Sequence, residues 1–136
     1  VQREVADRIL ADPASKDYGV LSLAVQYYAQ PSLVLKVPRT VFMPAPNVDS
    51  AVVHLQPRPP QVEAPKEQLF EVIRASFQQR RKTVRNALKP LVAEWGLSSE
   101  DLDRALAAVQ LEPTIRGERL SLEDFNRLTK ELMKEV

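Results

Sequence analysis

Between Val72 and Ala93 the chain has no acidic residue, while Arg74, Arg80, Arg81, Lys82, Arg85 and Lys89 are all basic. Arginine's planar guanidinium meets phosphate oxygens with two parallel N–H donors, so several in a row match a nucleic-acid backbone. Arg81, Arg85 and Lys89 are spaced by four and share one face of a helix that starts near Gln79. Arg80 and Lys82 flank that face at its beginning, and Val84, Leu88 and Leu91 lie opposite, toward a core. Basic clusters are commonly just solvated faces. The complete lack of local acidic partners favours RNA or DNA contact here. Arg80, Arg81, Lys82 and Arg85 are the candidate backbone contacts.

A second candidate lies in VFMPAPNVDSAVVHL, residues 41–55. Phe42 follows a strand-like run and precedes Met43-Pro44-Ala45-Pro46, a stiff lead-in that cannot donate backbone hydrogen bonds at its two prolines. Composition leaves two places open to this ring: tucked into a core, or offered as a flat surface on which a base or ligand ring stacks. His54 alternates with Val52 and Gln56 on one strand face. It has no serine–carboxylate relay beside it and reads as a structural or surface histidine. The carboxylates form no acid–base dyad. Tyr27 and Tyr28 close an amphipathic helix and read as packing residues.

The total charge of +1 hides this unevenness, because Glu94, Glu100, Asp101, Asp103 and Glu112 follow directly with only Arg104 against them. The absence of cysteine excludes disulfides and thiolate metal sites, and a single histidine excludes a multi-histidine centre. No apolar run approaches a membrane span, and no secretory leader is evident; a cytoplasmic protein is expected. The only glycines are Gly19, Gly96 and Gly117, so no glycine-rich loop can cradle a nucleotide. The chain opens at Val1 in what already reads as mid-helix, as though cut from something longer.

These candidates need elements to position them. QREVADRILA (2–11) reads as a helix ended by Asp12-Pro13, and LSLAVQYYAQ (21–30) as a second one terminated by Pro31. SLVLKV and residues 50–56 are strand-like and are expected to pair antiparallel across a shaped loop. Four prolines within Pro57–Pro65 mark a linker and the domain boundary. Everything after it is helical, a bundle of about four helices. One apolar stripe is Leu69, Phe70, Ile73 and Phe77; another is Val84, Ala87, Leu88, Leu91 and Val92, where Pro90 is expected to kink or split the helix. LSSEDL and LSLEDF mark two starts, with Ser98 and Ser121 as caps and Asp101 and Asp124 at the third helical position.

QREVADRILADPASKDYGVLSLAVQYY, VPRTVFMPAPNVDSAVVHL, FQQRRKTVRNAL and LEPTIRGERLSLEDF occur here in that order. Together they resemble the C-terminal part of the bacterial small-subunit (16S) ribosomal RNA adenine N6-dimethyltransferases. The resemblance implies an α/β plus all-α architecture. Residues 1–60 would be the final helices and antiparallel strands of a Rossmann-like S-adenosylmethionine-dependent methyltransferase domain, and residues 61–136 a small helical RNA-binding domain. It implies an enzyme that places two methyls on N6 of each of two adjacent adenosines near the 3′ end of 16S rRNA, with the assembling small subunit as partner. It also implies that Phe42 lies against the target adenine, with Pro44 and Pro46 as loop supports.

The departures matter equally. The family's glycine-rich cofactor loop is absent, and none of Asn47, Asn86 and Asn126 begins the family's Asn-(Leu/Ile)-Pro-(Tyr/Phe) tetrapeptide. The chain alone is therefore expected to lack a complete catalytic set, to bind no cofactor or metal, and to methylate nothing. The alternatives are a non-catalytic RNA-binding or ribosome-assembly protein, and a helical module whose basic face meets an acidic protein.

Overall fold

The computed structural model describes residues 1–79 and 81–136. They form two compact units, Val1–Pro60 and Gln61–Val136.

In the first unit, α1 (Arg3–Leu10) and α2 (Val20–Tyr28) pack on a two-stranded antiparallel sheet, β1 (Ala29–Val37) with β2 (Ser50–Pro57). Helix α1 alternates charge with Ala6 and Ile9, which it buries. Leu23, Tyr27, Ala29 and Ala51 complete that small core. The pairing runs from Ala29 opposite Pro57 to Val37 opposite Ser50, with an irregularity between Leu33 and Leu35. The second helix ends earlier than its apolar pattern suggests. Pro31 disfavours helical geometry at Gln30, so the chain turns extended at Ala29 and Pro31 itself lies within β1. A two-stranded sheet leaves an outer edge where a missing N–H is tolerated. Tyr27 is buried, while Tyr28 meets it edge-on at 4.9 Å and is half exposed.

In the second unit, α3 (Lys66–Gln78), α4 (Val84–Glu94), α5 (Ser99–Ala108) and α6 (Leu122–Glu135) surround one core. Leu69, Val72 and Ile73 from α3 meet Val84 and Leu88 from α4 and Phe125, Leu128 and Leu132 from α6, all but inaccessible to water. Phe77, Ala87 and Leu91 of the expected stripes are only half-buried. The two units divide at Pro60 and Gln61, inside the proline-rich segment, but both ends of that segment are tied down. β2 runs through Pro57, and the segment just before α3 is anchored to α6: the Ala64 N–H donates to Asn126 Oδ1 at 2.9 Å, and Lys130 pairs with Glu63 at 2.9 Å.

Pro90 does not split α4, which runs through it as one helix. Its ring sits on the exposed side, where the Asn86 carbonyl freed by the missing N–H can turn to water. Gly96 (φ 80°) ends α4, with the Leu97 N–H on the Val92 carbonyl at 2.8 Å and the Gly96 N–H on Ala93 at 3.0 Å. Those two bonds satisfy orphan carbonyls and need a residue in the left-handed region, which glycine enters without steric cost. Gln110 (φ 61°) ends α5 by the same pair of bonds. Ser98 with Asp101 and Ser121 with Asp124 each form reciprocal caps, while Leu97 and Leu120 are buried beside them.

Candidate nucleic-acid interface

The basic stretch is not one helix. α3 stops at Gln78, and α4 starts only at Val84, where Thr83 accepts a hydrogen bond from the Asn86 N–H at 3.2 Å. The expected common face of Arg81, Arg85 and Lys89 therefore does not exist. Thr-x-x-Asn is a capping pattern, and it outweighs the four-residue charge spacing because a helix terminus needs its orphan donors satisfied. The Val84 N–H is also taken, by the Ile115 carbonyl at 2.8 Å.

Arg81 and Lys82 sit in the turn before α4, both exposed. The Lys82 N–H closes that turn on the Gln79 carbonyl at 3.0 Å. Arg80 falls outside the described residues. Arg85 is placed differently: its Nε and Nη2 donate to the two carboxylate oxygens of Asp103 at 2.5 and 3.2 Å. The acidic partner missing nearby in sequence arrives from α5. This pair holds the Asp103 carboxyl below its ordinary value, chiefly through the Arg85 hydrogen bond, and raises Arg85 for the same reason. Arg85 must loosen or share that partner before it can hold a phosphate.

One prediction follows directly. Asp103→Asn should raise RNA affinity several-fold and steepen its salt slope by about one, because a guanidinium is released and a repelling carboxylate is lost. An unchanged titration in fluorescence anisotropy would remove Arg85 from the interface. The same substitution should flatten acid unfolding. A depressed carboxyl contributes stability above its unfolded value of about 4 and loses it as pH falls through the lower folded one.

The segment 114–119 adds residues that sequence reasoning passed over. Gly117 is packed so closely on α3 that an added Cβ would lie 3.1 Å from Ser76 Cβ. With the Ile115 bond to Val84, this holds a segment carrying the exposed Arg116 and Arg119 against α3, with Arg116 next in sequence to the residue that meets the start of α4. The one sequence signal was glycine flanked by arginines in IRGER.

In the first unit, the loop after β1 is not uniformly extended. Arg39–Val41 makes one 3₁₀ turn, in which the Val41 N–H donates to Pro38 at 3.2 Å and the Phe42 N–H to Arg39 at 3.3 Å. Asp49 clamps the loop: its Oδ1 accepts the Arg39 N–H at 2.8 Å, while its own carbonyl accepts the Arg3 N–H at 2.9 Å. Sequence reasoning missed this role, although a carboxylate just before a strand is suited to satisfying loop N–H groups. Phe42 stands 45% exposed at the end of the turn, so it is not a core residue. Met43 next to it is 98% exposed, and the Met43–Pro44 peptide is cis. Pro44 and Pro46 are exposed. His54 is exposed on β2 opposite Ser32. Among the described residues no group of three or more His, Asp or Glu could hold a metal ion, and no helix is long and apolar enough to cross a membrane.

The arrangement offers a half-exposed aromatic ring on a clamped loop and, in the other unit, exposed cations on a capped turn that have no ion pair among the described residues. The family model described as Ribosomal RNA adenine dimethylase matches residues 1–134. The chain belongs to that family. Among curated relatives, the Ribosomal RNA small subunit methyltransferase A of Geobacillus thermodenitrificans is 50% identical over 135 residues, covering 98% of this chain and 46% of the relative. That of Bacillus cytotoxicus is 49% identical with the same coverage. The chain thus spans under half the length of these family members.

Two solved structures share the fold. A dimethyladenosine transferase from Plasmodium falciparum superposes with a TM-score of 0.80 at 23% identity, over 98% of this chain and 55% of that one. The 23S rRNA methyltransferase ErmE gives 0.61 at 23% identity, over 97% and 52%. The fold class is accordingly that of the family's final helices and antiparallel strands followed by a helical bundle.

Proposed function

We propose that this chain is the substrate-facing part of a small-subunit rRNA adenine N6-dimethyltransferase. In this reading residues 1–60 end the methyltransferase domain and residues 61–136 form the RNA-binding domain. The parent enzyme dimethylates two adjacent adenosines near the 3′ end of 16S rRNA, in the cytoplasm, as the subunit assembles. The observation that carries this is the family match along residues 1–134, joined to relatives named for methylating small-subunit rRNA.

The geometry agrees with the chemistry. The N6 amine of a stacked adenine is out of reach, so the base must leave the helix and rest against flat or apolar surfaces. Phe42 supplies a half-exposed ring for that purpose. The 3₁₀ turn, the Asp49 clamp and the prolines Pro44 and Pro46 hold its loop before the base arrives, which limits the ordering cost of binding. RNA backbone contacts fall to Arg81, Lys82 and Arg85, with Arg80 assigned from sequence.

S-adenosylmethionine does not fit the residues present. Gly19 precedes α2, Gly96 ends α4 and Gly117 packs on Ser76, so the three glycines form no common loop. In this reading the donor is held by another part of the parent enzyme.

The isolated chain, given labelled S-adenosylmethionine and small-subunit RNA, should transfer no methyl. Joined to the upstream portion of the Geobacillus thermodenitrificans relative, it should dimethylate the RNA. Turnover by the isolated chain would refute its incompleteness. A folded chimera that binds cofactor but leaves the RNA unmethylated would sink the enzyme reading in favour of a non-catalytic RNA-binding protein.

A further inference from the structure

Helices α3 and α4 form a hairpin with a groove of about 450 Å³ along one side. Their connection closes one end. At the other, Trp95 Nε1 donates to Glu71 Oε2 at 3.3 Å, so the helices run antiparallel. The groove is consequently polarised. Gln78, Gln79, Lys82 and Asn86 line its turn end, Arg74 its side, and Glu71 and Glu94 its far end. Between them the floor is aliphatic, from Ala75, Ala87, Pro90 and Leu91. Seven residues of helix separate Glu71 from Gln78, about 10 Å. That matches the reach of one nucleotide from phosphate to base edge.

We propose that this groove holds a single unstacked nucleotide of the bound RNA; the proposal rests on the RNA-binding reading above. Lys82 at the turn end holds the phosphate and Arg74 adds positive charge at its side; neither is engaged in an ion pair among the described residues. The side-chain amides of Gln78, Gln79 and Asn86 donate to and accept from ribose hydroxyls, including the 2′-hydroxyl that distinguishes RNA. The base lies on the aliphatic floor with its edge toward Glu71 and Glu94. Two carboxylates there repel a second phosphate, so the strand cannot run along the groove and only a base can enter that end. A carboxylate accepts two adjacent N–H donors, which guanine presents at N1 and N2. Uracil presents one N–H between two carbonyls. The groove therefore prefers guanine to uracil.

The test is titration of the 136-residue chain with three hairpin RNAs: unbulged, with one bulged guanosine, and with one bulged uridine. The guanosine bulge should bind about tenfold more tightly than the unbulged hairpin, with uridine gaining less. Glu94→Gln should erase the guanine preference while raising affinity for all three hairpins slightly and alike, because one repelling carboxylate is lost. Equal affinity for all three RNAs, each still weakened by Arg81→Glu, would overturn the groove and leave the RNA-binding reading standing. Absence of salt-sensitive binding to any of them would remove both.

Discussion

Replacing Arg81 and Lys82 together by glutamate should lower RNA affinity about a hundredfold near 0.1 M salt, since two phosphate contacts are lost and two repelling charges gained. The slope of log affinity against log salt should flatten by about two, one for each cation that had displaced counterions. Both side chains are exposed in the turn before α4 and neither has an ion pair among the described residues, so the fold should be unaffected. Anisotropy titrations at four or five salt concentrations, with circular dichroism as the folding control, provide the check. An unchanged slope would mean that the RNA lies elsewhere. The same experiment on Arg85 requires Arg85→Gln, because a glutamate there would face Asp103 and confuse lost binding with lost packing.

The second large effect belongs to Phe42. In the chimera that completes the methyltransferase domain, Phe42→Ala should reduce methyl transfer by about ten- to a hundredfold, the worth of one stacked base. Phe42→Trp should restore most of it, because any flat aromatic face meets the requirement. That rescue separates stacking from folding, and thermal stability should barely move for a side chain already 45% exposed. Affinity for the surrounding RNA should hold, since backbone contacts dominate it. Transfer within about twofold of the parent for Phe42→Ala would assign the adenine to another surface.

Local chemistry was legible wherever it was decided locally. The two Ser-x-x-Asp starts and the paired strands appear as the residue pattern indicates, because caps and alternation act over three or four residues. The failures have separate physical causes. The α2 pattern persisted past Tyr28, yet proline geometry ended the helix sooner. Gln79 looked like a helix start, yet Thr83 was the residue with a side chain able to cap one. Pro90 looked like a break, but it sits on the exposed side of a helix that continues through it.

By itself the sequence determined the family, the helical character of residues after 65, the concentration of positive charge after Val72 and the lack of a glycine cradle. All of these follow from residue type and order. Only the tertiary structure decided which cations are free. Asp103 lies eighteen residues from Arg85 in the chain and in hydrogen-bond contact with it in space. It likewise decided that Phe42 is presented outward, that Asp49 clamps its loop, and that the segment carrying Arg116 and Arg119 is held on α3 and tied to the start of α4 through Ile115. Electrostatic pairing and exposure depend on distances between side chains, and those exist only once the core has closed.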